Sequence, residues 1–315
     1  MQHRPLIIRL RNWVGDVTLS LPTLQRLERA GYSLRLVGPR WAADLLSGHG
    51  WPVEVLGRTL GDRVAQLRRL RRQARAADPA FDRRLNAVAF PYSLSSALDM
   101  RLAGLRAIGY RHEGRAWLLR RALPRQPHVH ELCRYWQLAD ALLGPSEPAP
   151  DRIQLTLDLA HRAAARALRA RLGLRPGYLV ICPFAGGTFD KQDKVWPHFV
   201  RFAAEALPPL GRDVLVCPGP GAEQAIAERD FAGCVIAPGV PLGVYAALLQ
   251  DAALVLSNDT GPGHMAAAVG APLLSVLGPT DPSRWRALGP TTHIVQQPGG
   301  WPSVEAVLSH VQALL

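Results

Sequence analysis

The sequence predicts an α/β protein of two units, each an open, mostly parallel sheet with helices on both faces. Three observations carry that prediction. Apolar, strand-like runs alternate with helix-like segments from the N-terminus onward. The alternation is interrupted at Gly144–Pro145–Ser146–Glu147–Pro148–Ala149–Pro150, a linker composition, and then restarts. Three of the strand-like runs lead into polar loops, which is where such sheets bind ligands.

In order along the chain, residues 6–10 read as a strand and 11–16 as a loop. A helix is expected over 18–30, with Pro22 tolerable in its first turn. Strands follow at 34–37, ending at Gly38–Pro39, at 53–56 and at 86–90. Pro91–Tyr92–Ser93 and a helix over 96–102 come next. Beyond the linker an Ala/Arg-rich helix spans 161–172 and closes at Gly173. Strands are expected at 178–182, 214–217 and 254–256, then a helix from Met265 and a buried strand after Gly270. The linker helix is assigned to the first domain, giving 1–174, with 175–300 as the second. Residues 301–315 form a terminal helix that could return to the first domain.

A chain of 315 residues suits two domains, and 48% hydrophobic with 20% charged residues is the balance of a soluble globular protein. No run approaches the ~18 apolar residues of a membrane helix. The apolar start is too short and too charged for a secretory signal, so the cytoplasm is expected. Cys133, Cys182, Cys217 and Cys234 are scattered, which argues against disulfides and zinc, and no metal is expected. The net charge of +12 is uneven. Residues 1–150 carry 24 Arg and no Lys against 12 acids, whereas residues 151–315 are neutral. The first half therefore expects an anionic partner. The densest basic run, residues 63–75, reads equally as a solvated helix face. Nucleic acid is not expected as a partner despite a pI near 10.5, because basic and aromatic residues do not interleave and no binding motif is present.

Three polar loops could carry chemistry. Arg11–Asn12–Trp13–Val14–Gly15–Asp16 places an acid between strand and helix, where Asp16 alone reads as a helix cap. The stretch 184–197 combines Gly186, Gly187 and Thr188 with Lys191 and Lys194, the only lysines in the chain. It is not a P-loop, since no Gly-Lys-Ser/Thr follows the glycines. Two neighbouring lysines in an arginine-using protein suggest a site that wants a compact ammonium. The third loop, Ser257–Asn258–Asp259–Thr260–Gly261–Pro262–Gly263–His264, opens a helix, where backbone amides can meet an anion. Its plainer reading is that Asp259 or Thr260 caps that helix. Gly219–Pro220–Gly221 lacks the third glycine and the acid of a dinucleotide fingerprint and reads as a tight turn.

Taken together these motifs resemble glycosyltransferase family 9, the bacterial heptosyltransferases. The resemblance is carried by Asn12–Trp13–Val14–Gly15–Asp16, by Lys194–Val195–Trp196–Pro197, and by Asn258–Asp259–Thr260–Gly261 with His264. Gly278–Pro279–Thr280–Asp281–Pro282 follows at the family spacing. Pro91–Tyr92–Ser93 and Ile108–Gly109–Tyr110–Arg111 look like the heptosyltransferase II branch. The resemblance implies a GT-B architecture, two Rossmann-like domains facing across a cleft. It also implies inverting transfer of heptose from ADP-heptose to the lipopolysaccharide inner core, with no cofactor beyond that donor. The alternatives are a family 9 transferase with another nucleotide sugar or polysaccharide acceptor, or a catalytically inactive nucleotide-sugar binding protein.

Under that resemblance Asp16 is the general base. Thr188, Lys194 and the amides of Thr260, Gly261 and Gly263 receive the leaving diphosphate. Asp259 suits sugar hydroxyls, and His264 either supports its loop or touches phosphate. Asn12, Trp13, Arg111, Arg115 and Arg120 are the expected acceptor contacts, facing core phosphates and carboxylates. The 63–75 run could rest on the anionic cytoplasmic face of the inner membrane. Phe184 and Gly263 depart from common family residues and are expected to reshape the donor pocket.

Overall fold

The computed structural model describes residues 4–186, 188, 189 and 192–315. The chain divides into two compact units, Met1–Pro150 and Asp151–Leu315.

The first unit contains β1 (Arg4–Arg9), α1 (Val14–Arg29), β2 (Tyr32–Gly38), α2 (Trp41–Leu45), β3 (Val53–Val55) and α3 (Leu60–Ala77). It continues with β4 (Ala87–Ala89), α4 (Leu94–Leu102), β5 (Ala107–Tyr110), β6 (Arg121–Leu123) and α5 (Glu131–Leu143). Its sheet has the order β3-β2-β1-β4-β5-β6, with every pairing parallel. Strands covered on both faces read as continuous apolar runs, and Leu6, Ile7 and Ile8 of β1 are fully buried. Ile7 and Val37 pack with Leu67, Leu70, Phe81 and Met100 in the core on one face.

The second unit contains α6 (Leu159–Arg171), β7 (Leu179–Cys182), the hairpin strands β8 (Thr188–Phe189) and β9 (Gln192–Asp193), and α7 (Phe199–Arg201). Then come β10 (Val214–Val216), α8 (Ala222–Asp230), β11 (Val235–Ile236), α9 (Leu242–Gln250), β12 (Leu254–Ser257) and α10 (Gly261–Ala268). It ends with β13 (Leu273–Leu277), α11 (Pro282–Trp285), β14 (Thr292–Gln296) and α12 (Val304–Leu314). The sheet order β11-β10-β7-β12-β13-β14 repeats that of the first unit, again all parallel. Both sheets therefore have the strand order of a doubly wound Rossmann-like unit.

Three boundary expectations change. The linker helix belongs to the second unit, because α6 packs on α9. There the His161 ring occupies the space a Cβ on Gly243 would need, 2.0 Å away. The buried face of α12, Val304, Val307 and Val311, joins the second unit's core with Trp196, Phe202 and Leu256, so that unit takes up the terminal helix. Helix α1 starts at Val14, so Pro22 lies in its third turn rather than its first. The Thr18 hydroxyl donates to the Val14 carbonyl at 2.9 Å and Ser20 to that of Val17 at 2.7 Å, side-chain bonds to backbone in a helix that tolerates a proline.

In each sheet the winding reverses beside the first strand. β1 lies between β2 and β4, and β7 lies between β10 and β12. The loops leaving the carboxyl ends of those strands border a crevice, the usual ligand position in this topology.

Two candidate half-sites at the strand-order reversals

In the first unit the crevice holds Asp16. It lies in the first turn of α1, two residues past the helix start, and Trp13 takes the cap position with no side-chain cap bond. Asp16 is therefore not the cap the loop suggested. Its Oδ1 instead accepts from the Tyr135 hydroxyl at 2.9 Å and faces Arg11 Nη1 at 2.9 Å. A carboxylate in a helix's first turn also gains from the macrodipole. Arg11 Nη1 reaches Glu131 Oε1 at 2.7 Å as well, and its guanidinium lies 4.6 Å from the centre of the Tyr92 ring. Glu131 is fully buried, accepts from the Tyr92 hydroxyl, and pairs with Arg134 Nη1 at 2.8 Å. Burial raises the Tyr92 and Tyr135 phenols, as do their carboxylate neighbours, Glu131 for Tyr92 and Asp16 for Tyr135. Both therefore stay protonated and donate.

The expected acceptor contacts separate. Trp13 is 59% exposed, and Asn12, Arg111 and Arg120 are exposed, so all four are open to a ligand. Arg115 is not: it is fully buried. It donates to the carbonyls of Tyr110 (2.9 Å), Pro91 (2.6 Å) and Ser93 (2.9 Å), and to the Ser96 hydroxyl (3.0 Å). Burial lowers its pKa to about 10. A Cβ on Gly109 would lie 2.9 Å from Arg115 Nη2, so the glycine makes room for the guanidinium. Arg115 frames the loop after β4, which corrects its assignment as an acceptor contact. The basic run on α3 is largely neutralised: Arg63 pairs with Asp99, Arg69 with Glu54, and Arg71 and Arg75 with Asp82.

In the second unit the crevice lies between the loops after β7 and β12. Asn258, fully buried, ties three segments together. Its Oδ1 accepts from the Trp196 amide at 2.9 Å, and its Nδ2 donates to the Pro183 carbonyl at 3.0 Å. Trp196 is itself buried against Phe199 and Phe202, and its indole donates to the Pro302 carbonyl at 2.9 Å. This arrangement fixes Lys194, two residues before Trp196, opposite Asp259. Lys194 Nζ is 3.1 Å from Asp259 Oδ2, and His264 Nε2 is 3.5 Å from Asp259 Oδ1.

Burial would raise the Asp259 carboxyl, but His264 and Lys194 outweigh it and hold it below the ordinary carboxylate value. His264 is buried behind Asp259. Thr260 occupies the cap position of α10 without a side-chain bond. The first-turn amides of Gly261 and Gly263 have no acceptor within the helix.

Gly263 does not enlarge a pocket. A Cβ there would lie 2.9 Å from Ser257 Oγ and 3.3 Å from the Asn258 carbonyl, so the missing side chain faces β12. Phe184 likewise turns into the core, its ring 6.2 Å from that of Phe231. The Thr188 side chain, Gly187, Asp190 and Lys191 lie outside the described residues. Among the described residues no three His, Cys, Asp or Glu are grouped to hold a metal ion, and no helix is long and apolar enough to cross a membrane.

Arg11, Tyr92, Glu131, Arg134, Tyr135 and Asn258 are members that sequence reasoning did not assign. Arg11, Asn258 and Tyr92 lay inside motifs already noticed. Glu131 and Tyr135 carry no local signal, since their roles depend on α5 lying beside α1.

Two doubly wound units of this strand order are the architecture of GT-B glycosyltransferases. The sequence profile of glycosyltransferase family 9 (heptosyltransferase) matches residues 67–308, and the chain belongs to that family. Lipopolysaccharide heptosyltransferase 3 of Escherichia coli is 34% identical over 137 residues, 40% of this chain and 37% of that protein. The chain thus matches little more than a third of that relative's length. Lipooligosaccharide heptosyltransferase 2 of Haemophilus influenzae is 27% identical over 299 residues, covering 86% of this chain and 82% of its own. The solved structure of E. coli ADP-heptose lipopolysaccharide heptosyltransferase II superposes with a TM-score of 0.78 at 22% identity. It covers 98% of each chain and shows the shared fold.

The depressed carboxyl of Asp259 has a consequence for stability. Its contribution is fully present above the unfolded value of about 3.9 and is lost as pH falls through the lower folded value. The stability gap between wild type and Asp259→Asn should therefore be constant near neutrality and shrink below about pH 4. Thermal unfolding of both proteins across that range checks this, and a gap independent of pH would remove the ion-pair assignment.

Proposed function

We propose that the chain is an inverting heptosyltransferase that moves L-glycero-D-manno-heptose from ADP-heptose to the anionic inner core of lipopolysaccharide. The observation that supports this reading best is that a family 9 chain carries both halves of the required chemistry. Asp16 is a buried carboxylate fixed at one strand-order reversal, and Lys194 with the α10 amides lies at the other. The family description and the relatives' names support heptose and a lipopolysaccharide acceptor.

Asp16 takes the proton of the acceptor hydroxyl as that oxygen attacks the anomeric carbon. The bond to the diphosphate breaks, and its electron pair leaves with ADP. Lys194, Thr188 and the amides of Thr260, Gly261 and Gly263 receive the growing negative charge, where donors are most effective. Asp259 holds Lys194 and meets sugar hydroxyls, and His264 holds Asp259. No metal is needed in this scheme. Asn12, Trp13, Arg111 and Arg120 are the acceptor contacts. Arg68 and Arg72, the members of the α3 run without a carboxylate partner among the described residues, together with exposed Leu102, form the proposed contact with the anionic cytoplasmic face of the inner membrane.

Three outcomes follow. Asp16→Ala should keep donor affinity and lower kcat by roughly 10²–10⁴-fold, the usual contribution of a placed base. Near-normal transfer of heptose to truncated lipopolysaccharide by this variant would sink the assignment. Lys194→Ala should weaken ADP binding by about tenfold, or ~1.4 kcal/mol, close to the value of one charge-assisted bond. Calorimetry showing unchanged ADP affinity would rule Lys194 out as a phosphate ligand. The chain should co-sediment with phosphatidylglycerol vesicles and not with phosphatidylcholine ones, and Arg68→Glu with Arg72→Glu should abolish the difference. Equal sedimentation of wild type with both vesicles would remove the membrane contact.

A further inference from the structure

The carboxylate at the first reversal is held by a balanced cluster of buried groups. One nitrogen of Arg11 serves three partners: Asp16 Oδ1 at 2.9 Å, Glu131 Oε1 at 2.7 Å and the Tyr135 hydroxyl at 3.3 Å. Tyr135 donates to the same Asp16 oxygen at 2.9 Å. Glu131 is anchored from the other side by Tyr92 and by Arg134. Two guanidiniums and two carboxylates thus share a compact, largely buried volume. Burial opposes the charge on Arg11, but Tyr135, Asp16 and Glu131 together more than offset it, so the cation persists.

We propose that Tyr135 and Arg11 are positioning residues for Asp16 and that Glu131 tunes them. The two donors engage Oδ1 and so fix the orientation in which the carboxylate meets the acceptor's proton. Glu131 competes with Asp16 for Arg11 and so limits how far the cation can suppress the basicity of Asp16. This inference takes its catalytic meaning from the reading of Asp16 as the base, but the clamp can be measured without turnover.

The physical effects have opposite signs. Donors to a carboxylate favour its charged form, whereas a second carboxylate nearby disfavours it. The titratable groups gathered around Asp16 include Arg11 from the β1–α1 loop and Tyr135 from α5, which touch it, and Glu131 from α5, Tyr92 from the loop after β4 and Arg134, which are linked to it through Arg11. Removing the Tyr135 hydroxyl should raise the Asp16 pKa, and neutralising Glu131 should lower it. Residues that only filled space would shift neither, and general loosening would move both in one direction.

The test is a carbon-13 NMR titration of aspartate-labelled full-length protein, with the Asp16 carboxyl assigned by its loss in Asp16→Asn. The expected result is a midpoint raised by about half a unit or more in Tyr135→Phe and lowered in Glu131→Gln. With ADP-heptose and truncated lipopolysaccharide, Tyr135→Phe should also lose about tenfold in kcat with donor KM unchanged, and the acid limb of its kcat/KM profile should move up. An unshifted Asp16 midpoint in Tyr135→Phe overturns the proposal, and that variant decides alone if Glu131→Gln does not fold. Shifted midpoints with full turnover in Asp16→Ala would leave the clamp standing and remove the base. Lost turnover in Asp16→Ala with unmoved midpoints would do the reverse.

Discussion

Where a parallel sheet reverses its winding, the strands on either side send their following helices to opposite faces. The loops between them part and leave a crevice that no helix covers. Both sheets have this reversal at the same place, beside β1 and beside β7. Polar backbone at the carboxyl ends of β1, β4, β7 and β12 must then be satisfied by side chains rather than by neighbouring strands. Asp16, Lys194 and Asp259 lie there because that is where polar groups can converge without disrupting a packed layer.

Each crevice is held open by buried polar side chains whose bonds go to backbone. Arg115 gathers the carbonyls of Pro91, Ser93 and Tyr110, and Asn258 joins the loop after β7 to Trp196. A buried polar group without partners costs roughly 1–3 kcal/mol, so these residues stay in place only while the loops keep one arrangement. That reciprocity makes the loops rigid platforms. Lys194 and Asp259 meet at 3.1 Å because Trp196 and Asn258, on the same two segments, are already bonded.

Three uses of the first half's arginines are visible among the described residues. Some arginines, such as Arg115 and Arg26, are structural. Arg26 is buried and pairs with Asp140 at 2.7 Å, with its guanidinium over Trp136. Others along α3 form exposed or half-exposed ion pairs, which contribute little each, about 0–1 kcal/mol. Arg11 and Arg134 join the cluster of Asp16 and Glu131. A basic stretch in the sequence is thus no guide to where an anion binds until its carboxylate partners are known.

The sequence by itself determined the parallel α/β class, the two units, most strand positions near the reversals, and the loops that carry Asp16, Lys194 and Asp259. These features are local: apolar runs, glycine and proline punctuation, and motif spacing are all written within a few residues. The tertiary structure decided which side chains meet. Glu131 and Tyr135 lie more than a hundred residues from Asp16 and reach it only because α5 packs along α1. Arg115 reads as a surface cation in the sequence, yet it is buried because Gly109 leaves it room and three carbonyls need a donor. Gly263 reads in the sequence as a change to the donor pocket, whereas the side chain it lacks would meet Ser257. Local patterns fix the backbone of each segment, whereas the direction and partner of a polar side chain depend on contacts between segments that no single stretch of sequence contains.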